Sequence, residues 1–198
     1  VRGLEHADSV VFDFHKMLLT PGLNTVVLFR DGNRSYETFA QKAGYLFEKH
    51  DENEWYNGAK RTLECTKSAL GIVAWSMIRY YGQETLGKYV ESRYDLAARF
   101  AEAIRRESDM ELAVTPESNI VCFRYAPGGI TGEQLNDLNR TIRKEIVRSG
   151  EFYLVQTELD GVIWLRTALM NAMTDDGDLD RLITSIKKRG AALAGERN

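Results

Sequence analysis

The sequence contains little cysteine and little histidine. Of its 198 residues, two are cysteine, Cys65 and Cys122, and three are histidine. Two cysteines so far apart do not make a disulfide framework, and no cysteine or histidine pair has the spacing of metal ligands. We therefore expect reduced thiols and no structural zinc.

Long apolar runs and an excess of charge of one sign are also absent. The longest apolar stretches, such as residues 69–75, are far shorter than the roughly 20 residues that span a bilayer. The first 14 residues are too charged for a secretory signal. The formal net charge is −3 with both signs interspersed, so the chain has no basic stripe for nucleic acid and no polybasic membrane segment. These absences predict a cytosolic protein that binds neither nucleic acid nor lipid.

The composition that remains is that of a globular protein. Apolar residues make up 43% of the chain and aromatic residues 10%, which is enough to bury a core. The first residue is Val1 rather than methionine, and the chain leads almost at once into a strand candidate. We therefore expect that residues of the natural protein precede it.

The first half of the chain contains two strand candidates and two helix candidates. Residues 9–14 (SVVFDF) and 25–29 (TVVLF) are short, β-branched apolar runs bounded by proline, glycine and aspartate, which is typical of buried strands in one sheet. Residues 68–81 predict a nearly all-apolar helix. After Gly82, residues 84–107 predict a longer helix with one apolar face.

The pattern changes near residue 108, where shorter elements begin. Thr131 and Gln134 form a capping-box pattern, and Asp160-Gly161 is typical of a hairpin turn. The predicted elements are strands at residues 111–114 and 120–125, a helix from Thr131 to Gly150, strands at residues 152–156 and 162–170, and a helix closed by Gly190. We therefore expect two parts: residues 1–107, the end of a larger α/β domain with its connecting helix, and residues 108–198, a small α+β domain.

Lys16 follows the first strand candidate directly and precedes Met17-Leu18-Leu19. A buried ammonium there costs several kcal/mol unless it is neutralised or paired. A lysine that forms a Schiff base with a carbonyl cofactor has a reason for such a place, because burial keeps the amine nucleophilic. An exposed lysine at a strand end is the alternative, and it is the commoner case for an arbitrary lysine.

The residues around Lys16 resemble those of a known family. Residues 7–18 (ADSVVFDFHKML) closely resemble the lysine segment of the group II pyridoxal-5′-phosphate-dependent amino-acid decarboxylases, which include glutamate, aromatic-amino-acid, cysteine-sulfinate and diaminobutyrate decarboxylases. A His-Lys dipeptide at a strand end is the hallmark of that family. The resemblance implies that Lys16 carries pyridoxal 5′-phosphate. It also implies that His15 and Asp13 lie next to the cofactor, whose phosphate this turn helps to hold.

Asp13 departs from the commonest form of the motif. Many members have Asn-Pro-His-Lys where this chain has Asp13-Phe14-His15-Lys16. An ionised carboxylate cannot donate a hydrogen bond to phosphate, so the resemblance leaves the role of Asp13 open. Aspartate followed by an aromatic residue before His-Lys resembles the bacterial diaminobutyrate-type branch most.

Tyr45 lies in residues 40–61, which show no sustained period and are typical of an exposed loop. From composition alone it is a surface tyrosine. Its spacing from Lys16 and its Tyr45-Leu46 context resemble those of the family tyrosine on a mobile loop over the active site. The resemblance implies that Tyr45 protonates the substrate carbon after carbon dioxide leaves, which is general-acid catalysis.

Arg166 lies in a strand candidate in which both alternating faces are largely apolar, so we expect the strand to be buried on both sides. A buried guanidinium requires an anion, and either a core carboxylate or a bound ligand can supply it. Trp164-Leu165-Arg166, followed by Asn171, resembles the family segment whose arginine binds the α-carboxylate of the substrate.

Thr66 belongs to a weaker match. Residues 63–68 (LECTKS) resemble a family segment between the mobile loop and the next helix, near the dimer interface. The resemblance implies that Thr66 or Lys67 reaches the cofactor phosphate or the substrate of the partner subunit. An ordinary helix N-terminus capped by Thr66 or Ser68 is the alternative.

The resemblance runs from Ala7 to about Arg189 and implies the type I, aspartate-aminotransferase-like α/β fold. Residues before 108 then complete the large cofactor-binding domain, and the rest form the small domain. It further implies a homodimer with active sites at the interface. The implied reaction is decarboxylation of an L-amino acid of glutamate, diaminobutyrate or aromatic type: the substrate replaces Lys16 on the cofactor, carbon dioxide leaves, and an amine is released.

Two other functions are consistent with the same residues. The same scaffold supports decarboxylation coupled to oxidative deamination, which gives an aldehyde, and other carbon–carbon lyase reactions. A non-catalytic fragment is the alternative from a different class, because the family places the groups around the pyridine ring and most phosphate contacts before the lysine. The missing amino-terminal segment of the same enzyme is then the expected partner.

Overall fold

The computed structural model describes residues 2–39, 56–64 and 66–195. The chain divides into two compact units, Val1–Leu86 and Gly87–Asn198. In the described ranges, no helix is both long and apolar enough to cross a membrane. The predicted division near residue 108 stays a prediction.

The first unit is built on an antiparallel hairpin. Strand β1 (Ser9–Asp13) pairs with strand β2 (Thr25–Phe29), and Val11 lies opposite Val27, which confirms both predicted strands. Their predicted burial is wrong, because Val11 is 64% exposed. A sheet of two strands has few neighbouring side chains to cover its faces.

In the described part of the chain, two α-helices follow the hairpin. Helix α1 (Asn33–Thr38) is short, and helix α2 (Leu70–Arg106) contains a non-helical residue at Gly82, with φ 78° and ψ 158°. The predicted break between two helices at Gly82 is therefore confirmed, since a positive φ favours glycine. A short 3₁₀ turn, Gly58–Arg61, precedes α2.

The second unit is a four-stranded antiparallel sheet with helices on one face. Its strand order is β3-β4-β6-β5. The elements are β3 (Met110–Leu112), β4 (Ile120–Tyr125), α3 (Gly132–Ser149), β5 (Val155–Leu159), β6 (Val162–Ala168) and α4 (Asp176–Gly195). The core lies between the sheet, α3, α4 and the end of α2, and its fully buried members include Leu96, Phe100, Ile104, Val121, Phe123, Leu138, Ile142, Ile146, Leu165 and Ile186.

Two asparagines of α3 attach this helix to the sheet. The fully buried Asn139 accepts a hydrogen bond from Tyr125 N and donates one to Tyr125 O, both at 2.9 Å. Asn136 accepts from Ile163 N and donates to Gly161 O, again at 2.9 Å. A side-chain amide can accept one hydrogen bond and donate another. Each asparagine therefore pairs one N–H and one C=O of the strand backbone, and its own oxygen and nitrogen are paired as well.

Some predicted details of the second unit differ from the structure. Strand β3 is Met110–Leu112 rather than residues 111–114, and β6 ends at Ala168 rather than at residue 170. The strand predicted at residues 152–156 begins three residues later, at Val155. Thr131 is the N-cap residue of α3, as predicted, but its own side chain makes no capping hydrogen bond to the described residues. Helix α4 does not end at Gly190 but continues to Gly195. The hairpin turn at Asp160-Gly161 is confirmed, with φ of 51° and 76°.

Gly190 is explained by packing rather than by helix termination. A Cβ atom there would lie 2.4 Å from two ring carbons of Tyr125, which is closer than atoms can approach without displacement of the ring. The absence of a side chain at residue 190 therefore lets α4 pack against β4.

We predict that Gly190→Ala destabilises the second unit by about 1–3 kcal/mol, because the added methyl group overpacks the contact with Tyr125. Gly87→Ala in α2 is the matched control. A methyl group on residue 87 would meet no other side chain within 4 Å, so this variant gains the usual ~0.5–1 kcal/mol of a helical alanine. Urea unfolding followed by circular dichroism measures both changes. A stabilised Gly190→Ala variant would contradict the packing explanation.

Candidate active site

The turn that follows β1 places His15 and Lys16 at the end of the hairpin. Phe14 N donates to Asn24 O at 2.8 Å, and Thr20 N donates to Phe14 O at 3.2 Å. Within the turn that these two hydrogen bonds close, Leu19 N donates to Lys16 O at 3.2 Å. The backbone at both ends of the turn is therefore hydrogen-bonded, which fixes the directions of the side chains that it carries.

Lys16 is not buried. Its side chain is 55% exposed, and its Nζ lies 2.5 Å from Asp13 Oδ2. The predicted burial is wrong for the same reason as the burial of the strands, since the hairpin has little cover in the described structure. Pairing with Asp13 offsets the ammonium charge instead. The amine is accessible to a reagent from solvent.

Asp13 uses both of its carboxylate oxygens. Oδ2 contacts Lys16, and Oδ1 accepts a hydrogen bond from Thr25 Oγ1 at 2.6 Å. The contact with Lys16 and, next, the hydrogen bond from Thr25 lower the pKa of Asp13 below its usual value. An ionised Asp13 has no proton to donate to a phosphate, and its geometry suits the orientation of Lys16. Its predicted place next to the cofactor stays a prediction.

His15 is oriented by the main chain of Asn24. Its Nδ1 lies 3.1 Å from both Asn24 N and Asn24 O. Because Asn24 O already accepts from Phe14 N, the assignment that satisfies every group makes Nδ1 the acceptor for Asn24 N–H. Nε2 then carries the proton of the neutral ring and can donate to an anion.

Asn24 connects this turn to the helix that follows in the same unit. It is only 3% exposed, and its Nδ2 donates to Leu70 O at 3.0 Å, at the start of α2. Asn24 and Thr25 were not among the predicted site residues. The available signal was a polar Asn-Thr pair directly before an apolar strand.

Thr66 lines a pocket of about 590 Å³ together with Asn24 and Thr25. These two residues contact His15 and Asp13, so the structure brings the segment around Thr66 close to the Lys16 turn. Tyr45 lies outside the described residues.

Arg166 belongs to the second unit and lies on the half-buried face of β6. Ile163 and Leu165 are buried in the core, whereas Trp164 and Arg166 are half-buried on the opposite face. The prediction that β6 is buried on both faces is therefore wrong. Its helix-covered side is buried, and the side that carries Arg166 is open to a ligand.

The guanidinium of Arg166 has no carboxylate within 4.0 Å among the described residues. Its cross-strand neighbours are Cys122 and Val155, neither of which is acidic. By contrast, Arg124 on the same face contacts Glu111 and lies 4.7 Å above the Trp164 ring. Within the described ranges, Arg124 thus has a carboxylate partner and Arg166 has none.

A pocket of about 550 Å³ opens beside Arg166. Its wall includes Thr167, Met170, Asn171 and Thr174. Two carboxylates also line it, and both are paired with arginines: Glu151 with Arg189, and Asp178 with Arg181. Arg166 has no ion pair among the described residues, so its guanidinium is suited to bind the carboxylate of a ligand in a bidentate manner.

The groups around Lys16 fit pyridoxal 5′-phosphate in their chemistry. An accessible primary amine can condense with an aldehyde, and the Nε2–H of His15 can donate to phosphate. Thr66 adds a hydroxyl in the neighbouring pocket.

Comparisons with known proteins agree with this chemistry. The family model described as the pyridoxal-dependent decarboxylase conserved domain matches residues 1–126. Similar proteins include tyrosine decarboxylase 2 of Arabidopsis thaliana (23% identity, 96% of this chain and 35% of the relative). Others are L-2,4-diaminobutyrate decarboxylase of Rhizobium meliloti strain 1021 (28%, 98% and 39%) and phenylacetaldehyde synthase of A. thaliana (25%, 89% and 36%). The chain thus spans well under half of the length of each.

Solved structures confirm the predicted fold class. The crystal structure of Oryza sativa TDC with PLP and tryptamine matches 97% of this chain and 40% of that chain, with a TM-score of 0.84 and 22% identity. The fold is that of the type I pyridoxal-dependent decarboxylases, of which this chain spans a carboxyl-terminal portion. The family match covers more than half of the chain and includes the Lys16 turn, and the chain belongs to the pyridoxal-dependent decarboxylase family.

Proposed function

We propose that this chain is the lysine-bearing, carboxyl-terminal part of an enzyme that decarboxylates an L-amino acid to the amine and carbon dioxide. The observation that carries the proposal is the accessible Lys16 amine in a hydrogen-bonded turn inside the family match. The names of the similar proteins support a substrate of diaminobutyrate or aromatic type, and a glutamate-type substrate stays among the predicted classes.

The first unit supplies the cofactor-binding groups. Lys16 binds pyridoxal 5′-phosphate covalently, and the bound cofactor supplies the electron sink for carbon–carbon bond cleavage. Asp13 orients the Lys16 amine through the contact at 2.5 Å. His15 donates Nε2–H to a phosphate oxygen because Asn24 occupies its Nδ1, and Thr66 contributes a hydroxyl from the adjacent pocket.

Arg166 and Tyr45 act on the substrate. Arg166 binds the α-carboxylate, which fixes the orientation of the bond to be broken. Tyr45 donates a proton to the substrate carbon from which carbon dioxide has left, as general acid.

The complete enzyme requires more chain than these 198 residues. The similar proteins are more than twice as long, and the hairpin and α2 expose large apolar side chains, among them Val11, Leu28 and Trp75 at 59–65%. Covering such surface is favourable. We infer that the preceding segment of the family enzyme covers it, and that the assembled protein is a homodimer with active sites at the interface.

Aldehyde formation is the second candidate function. Phenylacetaldehyde synthase of A. thaliana is as similar to this chain, at 25% identity, as the decarboxylases are. Both reactions begin with loss of the carboxylate. In amine formation the substrate carbon is then protonated, whereas in aldehyde formation an external two-electron oxidant such as dioxygen oxidises it, and water releases ammonia. The residue that protonates this carbon therefore separates the two reactions.

The cofactor assignment predicts selective labelling of Lys16. When the chain is incubated with pyridoxal 5′-phosphate and reduced with borohydride, mass spectrometry should find the label on Lys16 in clear excess over Lys144. Lys144 is the control because it is also exposed but lies on α3 in the second unit, away from the Lys16 turn in sequence. Lys16→Arg should abolish the selective label. Equal labelling of the two lysines would refute a dedicated site.

The contact of Asp13 predicts how its titration responds to mutation. Lys16→Gln removes the largest cause of the lowered pKa and should raise the pKa of Asp13 toward its usual value, and Thr25→Val should raise it by less. Carboxyl-carbon NMR titration measures both. Glu133, whose pKa is lowered by Arg140 in the other unit, should not change. An unchanged Asp13 in Lys16→Gln would show that the two side chains are not in contact.

Tyr45→Phe tests the reaction type in the catalytically active protein. If Tyr45 is the general acid, its hydroxyl contributes roughly 10²–10⁴-fold to amine formation, and its loss should lower the rate of amine release by that order and raise the aldehyde fraction. Product analysis by chromatography with each candidate amino acid measures both. An unchanged rate of amine release would exclude Tyr45 as the proton donor.

A further inference from the structure

Two side chains of α2 bind the backbone segment that follows β6. Arg93 Nη1 donates to Asn171 O at 2.8 Å and to Thr174 O at 2.9 Å. Tyr89 Oη donates to Met170 O, and the Arg93 guanidinium lies 5.8 Å from the centroid of the Tyr89 ring. Three carbonyls of residues 170–174 are thus bound by one face of a helix, since residues four apart lie on the same side.

The bound segment is part of the wall of the Arg166 pocket. Met170, Asn171 and Thr174 all line it together with Arg166. The other end of the connection is fixed by Asn119, which accepts from Leu169 N at 2.8 Å through its main chain and donates to Leu169 O at 3.2 Å through its side chain. Residues 170–174 therefore follow an attachment to Asn119, directly before β4, and are themselves attached to α2.

The hydrogen bonds that Arg93 donates are charge-assisted and therefore strong. A charged donor gives hydrogen bonds about twice as strong as a neutral one, and both protons of one guanidinium nitrogen are used. Residues 170–174 form no helix or strand. Their conformation is held by two hydrogen bonds within the loop, from Met173 N to Asn171 Oδ1 and from Thr174 N to Asn171 O, and by the side-chain hydrogen bonds from α2. Loss of Arg93 leaves two loop carbonyls without this donor and lets the pocket wall relax.

We infer that Arg93 is a positioning residue for carboxylate binding at Arg166. It touches no substrate, and it acts by fixing the pocket wall at Asn171 and Thr174, with Tyr89 fixing Met170. The inference rests on the proposed role of Arg166. It adds that carboxylate binding at Arg166 also depends on Arg93 of α2.

Arg99 provides a matched control on the same helix. It binds the first residue of α4, Asp176, through two hydrogen bonds at 2.9 and 3.0 Å. Asp176 is not among the residues that line the pocket. Arg99→Met should therefore remove a comparable attachment without disturbing the pocket wall.

The test is the binding of acetate to the complete protein that contains this chain, followed by NMR of the backbone amides of residues 166–174 and the side-chain Nε–H of Arg166. Arg93→Met, which keeps the aliphatic length and removes the donors, should weaken acetate binding about threefold to tenfold, the effect of losing one ordinary hydrogen bond. Arg93→Lys, which keeps donors and charge, should recover part of the loss. Arg99→Met should bind acetate as the unmodified protein does.

The outcomes distinguish this inference from the proposal on which it rests. Two results would overturn the role of Arg93 and leave the role of Arg166 in place. In the first, Arg166→Gln abolishes acetate binding while Arg93→Met leaves it unchanged. In the second, Arg99→Met weakens acetate binding as much as Arg93→Met does. If the unmodified protein does not bind acetate, or Arg166→Gln binds it equally well, both roles fail. Should Arg93→Met not fold, Tyr89→Phe replaces it, with weaker binding expected and unchanged binding refuting the inference.

Discussion

The burial of Leu165 is the constraint on which the candidate substrate site depends. Successive side chains of a strand point to opposite faces, so a strand that places Leu165 and Ile163 in the core must place Trp164 and Arg166 on the other side. A shift of one residue in register would exchange the two sets and bury a guanidinium among aliphatic side chains. Hydrophobic packing of one face thus determines where the charge on the other face lies.

The register is reinforced at both ends of β6 by side-chain amides. Asn136 binds the backbone of Gly161 and Ile163 where the strand begins, and Asn119 binds Leu169 where it ends. Buried amides are favourable only when their groups are paired, and these are paired with backbone groups that a shifted strand would displace. Slippage therefore costs hydrogen bonds as well as hydrophobic contacts.

The two candidate sites are organised by different forces. Arg166 takes its position from a packed core beneath it, whereas Lys16 lies on a hairpin with little cover and takes its position from hydrogen bonds. Asp13 contacts its ammonium, Thr25 binds the other oxygen of Asp13, and Asn24 fixes the neighbouring His15. Polar networks of this kind orient side chains where a core is not available.

The sequence predicted secondary structure well where a local rule applies. The break at Gly82 and the turn at Asp160-Gly161 follow from backbone conformations that glycine favours, and β4 follows from its apolar residues. Burial was predicted less well. Apolar composition shows that a strand can be buried, but it does not show which element covers it. The hairpin lacks a covering layer in the described structure. In β6, the open face is as apolar in sequence as the covered face. Gly190 shows the same limit for a single residue, because only the position of the Tyr125 ring explains why this glycine lies inside α4.

By itself, the sequence determined which reactive group the site contains. That group is a lysine that follows a histidine at a strand end, within a segment that matches a pyridoxal-dependent family. These are properties of neighbouring residues, which covalent order holds together in any conformation. The tertiary structure alone decided the partners, namely Asn24 for His15, Thr25 for Asp13, and Arg93 for the loop beside Arg166. Each of these hydrogen bonds joins residues nine or more positions apart, and only the folded chain brings such residues into contact.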